Sequence, residues 1–186
     1  MSTRPPRQLG VVAVLAAVLG LAAGAWFFNR PAAAPQPPPP PRTSTPSAGI
    51  GDAMPALTLP DVSGTPVDLA RFRGRPLLIN VWASWCGPCV EEMPALAAFA
   101  AAQPADGVQV LGVALDTPEG VRDFLARVPV GYPIVLDTPG PADASVRLGN
   151  AQGLLPYSVL VDAHGRIVKQ KLGPFAAGEI EDWAGY

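Results

Sequence analysis

The chain carries two cysteines, Cys86 and Cys89, with only Gly87-Pro88 between them. They stand where a continuous apolar run, Leu77-Leu78-Ile79-Asn80-Val81-Trp82-Ala83, gives way to a segment of helical composition, Cys86–Ala102. A run of this kind suits a strand buried on both faces, as in a parallel sheet. Two intervening residues in the first turn of a helix bring both sulfurs to one face, within disulfide reach. A bridge over so short a loop removes little chain entropy, so stabilisation is a poor reason for it. A pair without two further cysteines or histidines nearby does not complete a structural zinc site, and the only histidine, His164, lies far along the chain in a turn-forming stretch. Chemistry at the pair is the reading that remains. Free N–H groups and the dipole at a helix start stabilise a thiolate on Cys86, and Pro88 fits there because its absent N–H has no helical partner to lose.

The rest of the domain constrains how that pair is held. Strands are expected at Val108–Leu115, Pro133–Asp137, Tyr157–Val161 and Ile167–Leu172. Helices are expected at Pro118–Val128, Ala142–Leu148 and Ala176–Trp183, and Pro94 should kink or interrupt the helix that begins at Cys86. Ala56–Leu59 and Pro66–Leu69 flank the turn signal Asp61-Val62-Ser63-Gly64 and read as an N-terminal hairpin. Strand and helix alternate in the middle, and a hairpin and a helix close the chain. That order predicts an α/β fold with a central mixed sheet flanked by helices over residues 51–186.

The first fifty residues have another character. Residues 1–8 are short, polar and cationic, and residues 9–28 carry no charge. Twenty helical residues span about 30 Å, the thickness of the hydrocarbon layer. Arg4 and Arg7 hold the start inside under the positive-inside rule, so the rest is expected outside the inner (cytoplasmic) membrane, in the periplasm or an equivalent extracytoplasmic space. The segment reads as a single-pass transmembrane signal-anchor, with Trp26-Phe27-Phe28 at the interface. A cleavable signal peptide ending at Ala23-Gly24-Ala25 is the alternative. Residues 29–50 are a Pro-rich linker, polyproline II in its Pro35–Pro41 part. Residues 1–50 contain four arginines and no acid, whereas residues 51–186 contain nine basic and fifteen acidic residues, a net charge of −6. No basic field is available for nucleic acid.

The apolar strand, Trp85-Cys86-Gly87-Pro88-Cys89 and the helix that follows resemble the thioredoxin superfamily. The export segment, Glu91-Glu92-Met93-Pro94 and the distal Gly153-Leu154-Leu155-Pro156-Tyr157 through Gly165 resemble its TlpA/ResA branch of exported thiol-disulfide oxidoreductases. The resemblance covers about residues 50–183. It implies a thioredoxin-like fold and a protein-disulfide reductase that uses its own Cys86–Cys89 disulfide and needs no other cofactor or metal. Cys86 would attack and Cys89 resolve. Trp85 would flank the attacking sulfur, Leu155 would present backbone to substrate, and Pro156 would be a cis-proline beside the disulfide. Asn80 departs from thioredoxin, which has an aspartate at that place. Asn cannot exchange a proton, so Glu92, three residues after Cys89 on the same helical face, is the expected proton acceptor. Implied partners are apocytochrome c disulfides in cytochrome c maturation or a copper-assembly protein, with electrons from a membrane donor of the DsbD/CcdA type. An exported thioredoxin-fold metallochaperone and a disulfide oxidant are the rival readings.

Overall fold

The computed structural model describes residues 47–185. The cationic start at 1–8, the apolar segment at 9–28 and the linker up to residue 46 lie outside the described residues. Among the described residues no helix is long and apolar enough to cross a membrane. The last residues assigned to the linker are attached to the domain. Ser47 Oγ donates to Val146 O at 2.8 Å, and Ala48 N–H donates to Arg147 O at 3.0 Å.

Seven strands and four helices follow one another from Thr58. The central strand β3 (Leu77–Trp82) is buried at every residue. It belongs to a five-stranded sheet in the order β5-β4-β3-β6-β7, with β4 at Gln109–Leu115, β5 at Ile134–Asp137, β6 at Tyr157–Val161 and β7 at Ile167–Leu172. Strands β3, β4 and β5 are parallel, and β6 and β7 are antiparallel to their neighbours. The result is a thioredoxin-like α/β fold with a mixed sheet. Two short strands, β1 (Thr58–Pro60) and β2 (Pro66–Asp68), pair antiparallel as a separate ribbon. Asp61 Oδ1 closes the turn between them by accepting from the N–H groups of Ser63 and Thr65. A 3-10 turn at Leu69–Phe72, which the apolar pattern did not announce, drives Leu69 into the core.

Alternation along β3 divides the core in two. Leu78 and Trp82 face helix α1 (Gly87–Ala102), helix α2 (Pro118–Arg127) and helix α4 (Glu179–Ala184), where they join Met93, Leu96, Phe124 and Ile180. Leu77, Ile79 and Val81 face the opposite side. There the cover is Met54, Leu57 and Leu59 from the N-terminal segment, with Leu148 just after the short helix α3 (Ala144–Arg147). Burying both faces explains why β3 lacks the polar alternation of a surface strand.

Helix α1 runs through Pro94 without interruption, against the expected break. Pro94 is exposed, so its ring lies on the solvent side of the helix. Helix α4 starts three residues later than composition indicates. Gly178, at φ +76°, turns the chain into it, and Glu179 Oε2 accepts the Ala176 N–H at 2.7 Å.

Candidate active site

Cys86 and Cys89 are joined in a disulfide at the start of α1, with Cα atoms 5.3 Å apart. Cys86 is the N-cap residue and has extended backbone, and no side-chain hydrogen bond caps the helix. The N–H groups of Gly87 and Cys89 in its first turn therefore have no intrahelical partners. Cys86 is 7% exposed and Cys89 is fully buried. Gly87 and Pro88 are both exposed on the helix start. Trp85 projects into solvent at 69% exposure.

Antiparallel β6 brings a second segment to the same end of the sheet. Tyr157 pairs with Val81, near the C-terminal end of β3, so the residues just before Tyr157 lie toward the disulfide. The Leu155–Pro156 peptide bond is cis. Pro156 is buried, Leu155 packs between the two core clusters, and Leu154 is 52% exposed. Two exposed apolar side chains, Trp85 and Leu154, thus belong to the segments that carry the disulfide and the cis-proline.

Beneath the disulfide lies a buried polar set. Glu92 is 5% exposed, and Asn80 and Ser158 are fully buried. Asn80 Nδ2 donates to Glu92 Oε1 at 2.8 Å and to Ser158 Oγ at 3.1 Å. Glu92 Oε2 accepts the Phe175 N–H at 2.9 Å from the β7–α4 loop. Burial pushes the Glu92 carboxyl above its ordinary range. The Phe175 N–H, the Asn80 amide and the Lys171 ammonium oppose that shift, while the Glu179 carboxylate adds to it. Burial thus favours the protonated form of the Glu92 carboxyl, one helical turn after Cys89. Asn80 Oδ1 has no partner. With the amide turned over, that oxygen can accept a proton donated by protonated Glu92, and the Ser158 hydroxyl can donate to it. The set thus accommodates both states of the acid.

The disulfide joins residues 86 and 89, and a hydrogen bond that the sequence did not indicate joins residues 80 and 92. The Phe175 N–H was not foreseen. It comes from a loop 83 residues away, and a backbone donor leaves no mark in a sequence. His164 sits in the β6–β7 turn, where Asp162 Oδ1 accepts its N–H. Among the described residues no cluster of three or more His, Cys, Asp or Glu side chains could hold a metal ion.

A cysteine pair closing at a helix start, reached by an exposed tryptophan and a cis-proline on a mixed sheet, is the site of a thiol-disulfide oxidoreductase. The chain belongs to the redoxin family, whose profile matches residues 50–184. It is 31% identical over 136 residues to sporulation thiol-disulfide oxidoreductase A of Bacillus subtilis, covering 70% of this chain and 79% of that protein. It is 29% identical to the thiol-disulfide oxidoreductase ResA of Geobacillus thermodenitrificans, covering 75% and 78% of the two chains. Among solved structures, a thioredoxin-related protein from Neisseria meningitidis serogroup B superposes with a TM-score of 0.60 at 32% identity, covering 67% of this chain and 93% of the other. The protein is a protein-disulfide oxidoreductase of the ResA and StoA type.

Proposed function

We propose that the protein works as a membrane-anchored, extracytoplasmic reductant of protein disulfides. The observation that carries this reading is the Cys86–Cys89 disulfide with a buried carboxyl, Glu92, one turn beyond the resolving cysteine. Cys86 thiolate attacks one sulfur of a substrate disulfide, forming a mixed disulfide and expelling the other sulfur as a thiolate. Cys89 gives its proton to Glu92, and the resulting thiolate attacks Cys86 Sγ. The mixed disulfide breaks, the second substrate thiol leaves, and two electrons have passed to the substrate. Trp85 flanks the attacking sulfur, Leu155 presents its backbone to the substrate chain, and cis-Pro156 stands beside the disulfide.

The apolar segment at 9–28 supports the anchor, and the linker at 29–46 supports a domain held away from the bilayer. The enzyme is spent after one turnover, so an outward electron donor in the membrane, of the DsbD/CcdA type, must restore the dithiol. Substrates of the family's kind are the disulfides of apocytochrome c before haem attachment, or the disulfide of a copper-assembly protein, which the reaction returns to its thiols. The reduction potential tests the direction. A value near about −270 mV agrees with a reductant, whereas one near about −120 mV reverses the electron flow. A pair that does not cycle removes the redox reading altogether.

A further inference from the structure

The turn that delivers Cys86 is tied down from a strand end that the chemistry above does not use. Residues 83–86 form a tight turn closed by Cys86 N–H donating to Ala83 O at 3.1 Å. At its second position, Ser84 donates twice to the carboxylate of Asp116, which directly follows β4. The backbone N–H reaches Oδ2 at 2.8 Å, and the hydroxyl reaches the same oxygen at 2.6 Å. The other oxygen, Oδ1, accepts the Thr117 N–H at 2.7 Å, so the carboxylate is itself held in place. Helix α2 closes over the contact. A Cβ built on Gly120 would stand 3.0 Å from Asp116 Oδ1 and 3.4 Å from Ser84 Oγ.

This tie has a specific use in a redox cycle. In the disulfide form, Cys86 is fixed covalently to Cys89 on α1. Once the bridge opens, that constraint is gone. The Trp85 side chain, 69% exposed, gives the turn little packing to rest on, and the helix start has no side-chain cap at Cys86. The two charge-assisted bonds to Asp116 remain, and such bonds are about twice as strong as neutral ones.

We propose that Asp116 is a positioning residue for the attacking thiol. By holding Ser84 it keeps the 83–86 turn in one place whether the disulfide is closed or open, so Cys86 is presented for attack in the dithiol state. The proposal rests on Cys86 being the attacking cysteine.

The test compares Asp116→Ala with Asp116→Asn in the full-length chain. Both lose the charge, but Asn turned with its oxygen toward Ser84 keeps an acceptor for both Ser84 donors and gives up only the Thr117 N–H bond. Thermal unfolding is followed in the disulfide and dithiol forms. The reduction potential is read from the mass shift on alkylation, which is unambiguous because Cys86 and Cys89 are the only cysteines. Relative to Asn, the Ala variant should lose more stability as dithiol than as disulfide. The thermodynamic cycle then makes its potential more negative than that of Asn. Its kcat/KM for insulin disulfides should fall about tenfold, since small misplacements of reacting groups cost up to about 10²-fold. Should Asp116→Ala fail to fold, Ser84→Ala removes the hydroxyl donor alone and should show the same dithiol-selective loss at smaller amplitude. Equal loss in both redox forms, with Ala and Asn sharing one potential, overturns the proposal and leaves Asp116 a support of the fold. A wild-type chain with no reversible disulfide removes the redox reading and this proposal together, whereas a cycling wild type with indistinguishable variants removes this proposal alone.

Discussion

Asn80 Nδ2 lies 2.8 Å from Glu92 Oε1, so the amide of the central strand holds the carboxyl of the active-site helix from inside the core. The direction of the bond matters. A donor on Glu92 favours the carboxylate, while burial favours the acid. Replacing Asn80 by Ala removes one of the influences that hold the carboxyl down. Carbon-13 NMR of the Glu92 side chain should show its titration moving to higher pH. Asn80→Asp should act more strongly, because two carboxyls in contact ionise in two separated steps and the upper one belongs to the pair. An unchanged titration in both variants would remove Asn80 from any account of the acid.

Replacing Glu92 by Gln should slow the closing of the mixed disulfide more than its formation. A loss of up to about 10²-fold, the lower end of what general acid–base catalysis supplies, is expected in single-turnover reduction of a peptide disulfide. The pH dependence of that step should flatten with it. Equal slowing of both steps would point to a general disturbance of the helix.

Stability should carry the sign of the Glu92 shift. Its native value is raised, so over the interval between the ordinary glutamate range and that raised value the folded protein binds more protons than the unfolded chain. Wild-type stability therefore falls as pH rises through this interval, by at most about 1.4 kcal/mol per pH unit. The Glu92→Gln variant lacks the slope. Denaturant midpoints across the interval should show the difference between the two proteins moving in favour of the variant as pH rises.

The end of β7 and the start of α4 should tune the same acid from outside. Lys171 Nζ lies 2.8 Å from Glu179 Oε1, and the two act on Glu92 with opposite signs. Lys171→Met should raise the Glu92 titration and Glu179→Gln should lower it, each by less than Asn80→Asp. The same NMR measurement decides, and equal effects of like sign would contradict the assignment.

Gly149 is the position where one methyl group should do most harm to the fold. Its φ is +115°, and an added Cβ would meet Gln170 Nε2, stand 2.7 Å from Ala48 O and stand 2.8 Å from Tyr157 Oη. Backbone strain and overpacking each cost about 1–3 kcal/mol, so Gly149→Ala should lose more than about 2 kcal/mol in chemical denaturation. Tyr157 is tied to the same spot. Burial pushes its hydroxyl up to about 12, and it donates to Leu148 O at 3.2 Å.

How much of this was legible in advance depended on the range of the interaction. The strand at Leu77–Trp82 and the helix beginning beside Cys86 follow from local pattern, as do the strands at Tyr157–Val161 and Ile167–Leu172. Pro94 lies on the exposed side of α1, where packing of the helix's other face outweighs the one hydrogen bond that a proline removes. The Ser84–Asp116 bonds span 32 residues and the Phe175–Glu92 bond spans 83. Nothing in the local composition of either partner announces them. The end of the Pro-rich segment carries no apolar pattern that would announce its attachment, because Pro, Ser, Thr and Gly bury little apolar area. It is held instead by backbone hydrogen bonds at Ala48 and Gly51, which any residue can make.

That attachment decides where a pull on the chain is felt. Ala48 is fastened to Arg147 and Gln170, Gly51 to Ile167 and Met54 to Gly165. Ile167 pairs with Val161, and Val161 with Leu77, so the lower fastenings lie at the end of the sheet opposite the one where β3 leads to Cys86. Tension arriving through Ser47 is taken up as shear along the outermost strand and α3, and the two sulfurs sit outside its line. A pull from the N-terminus therefore meets β7 and the end of α3 before it meets the helix start that carries the disulfide.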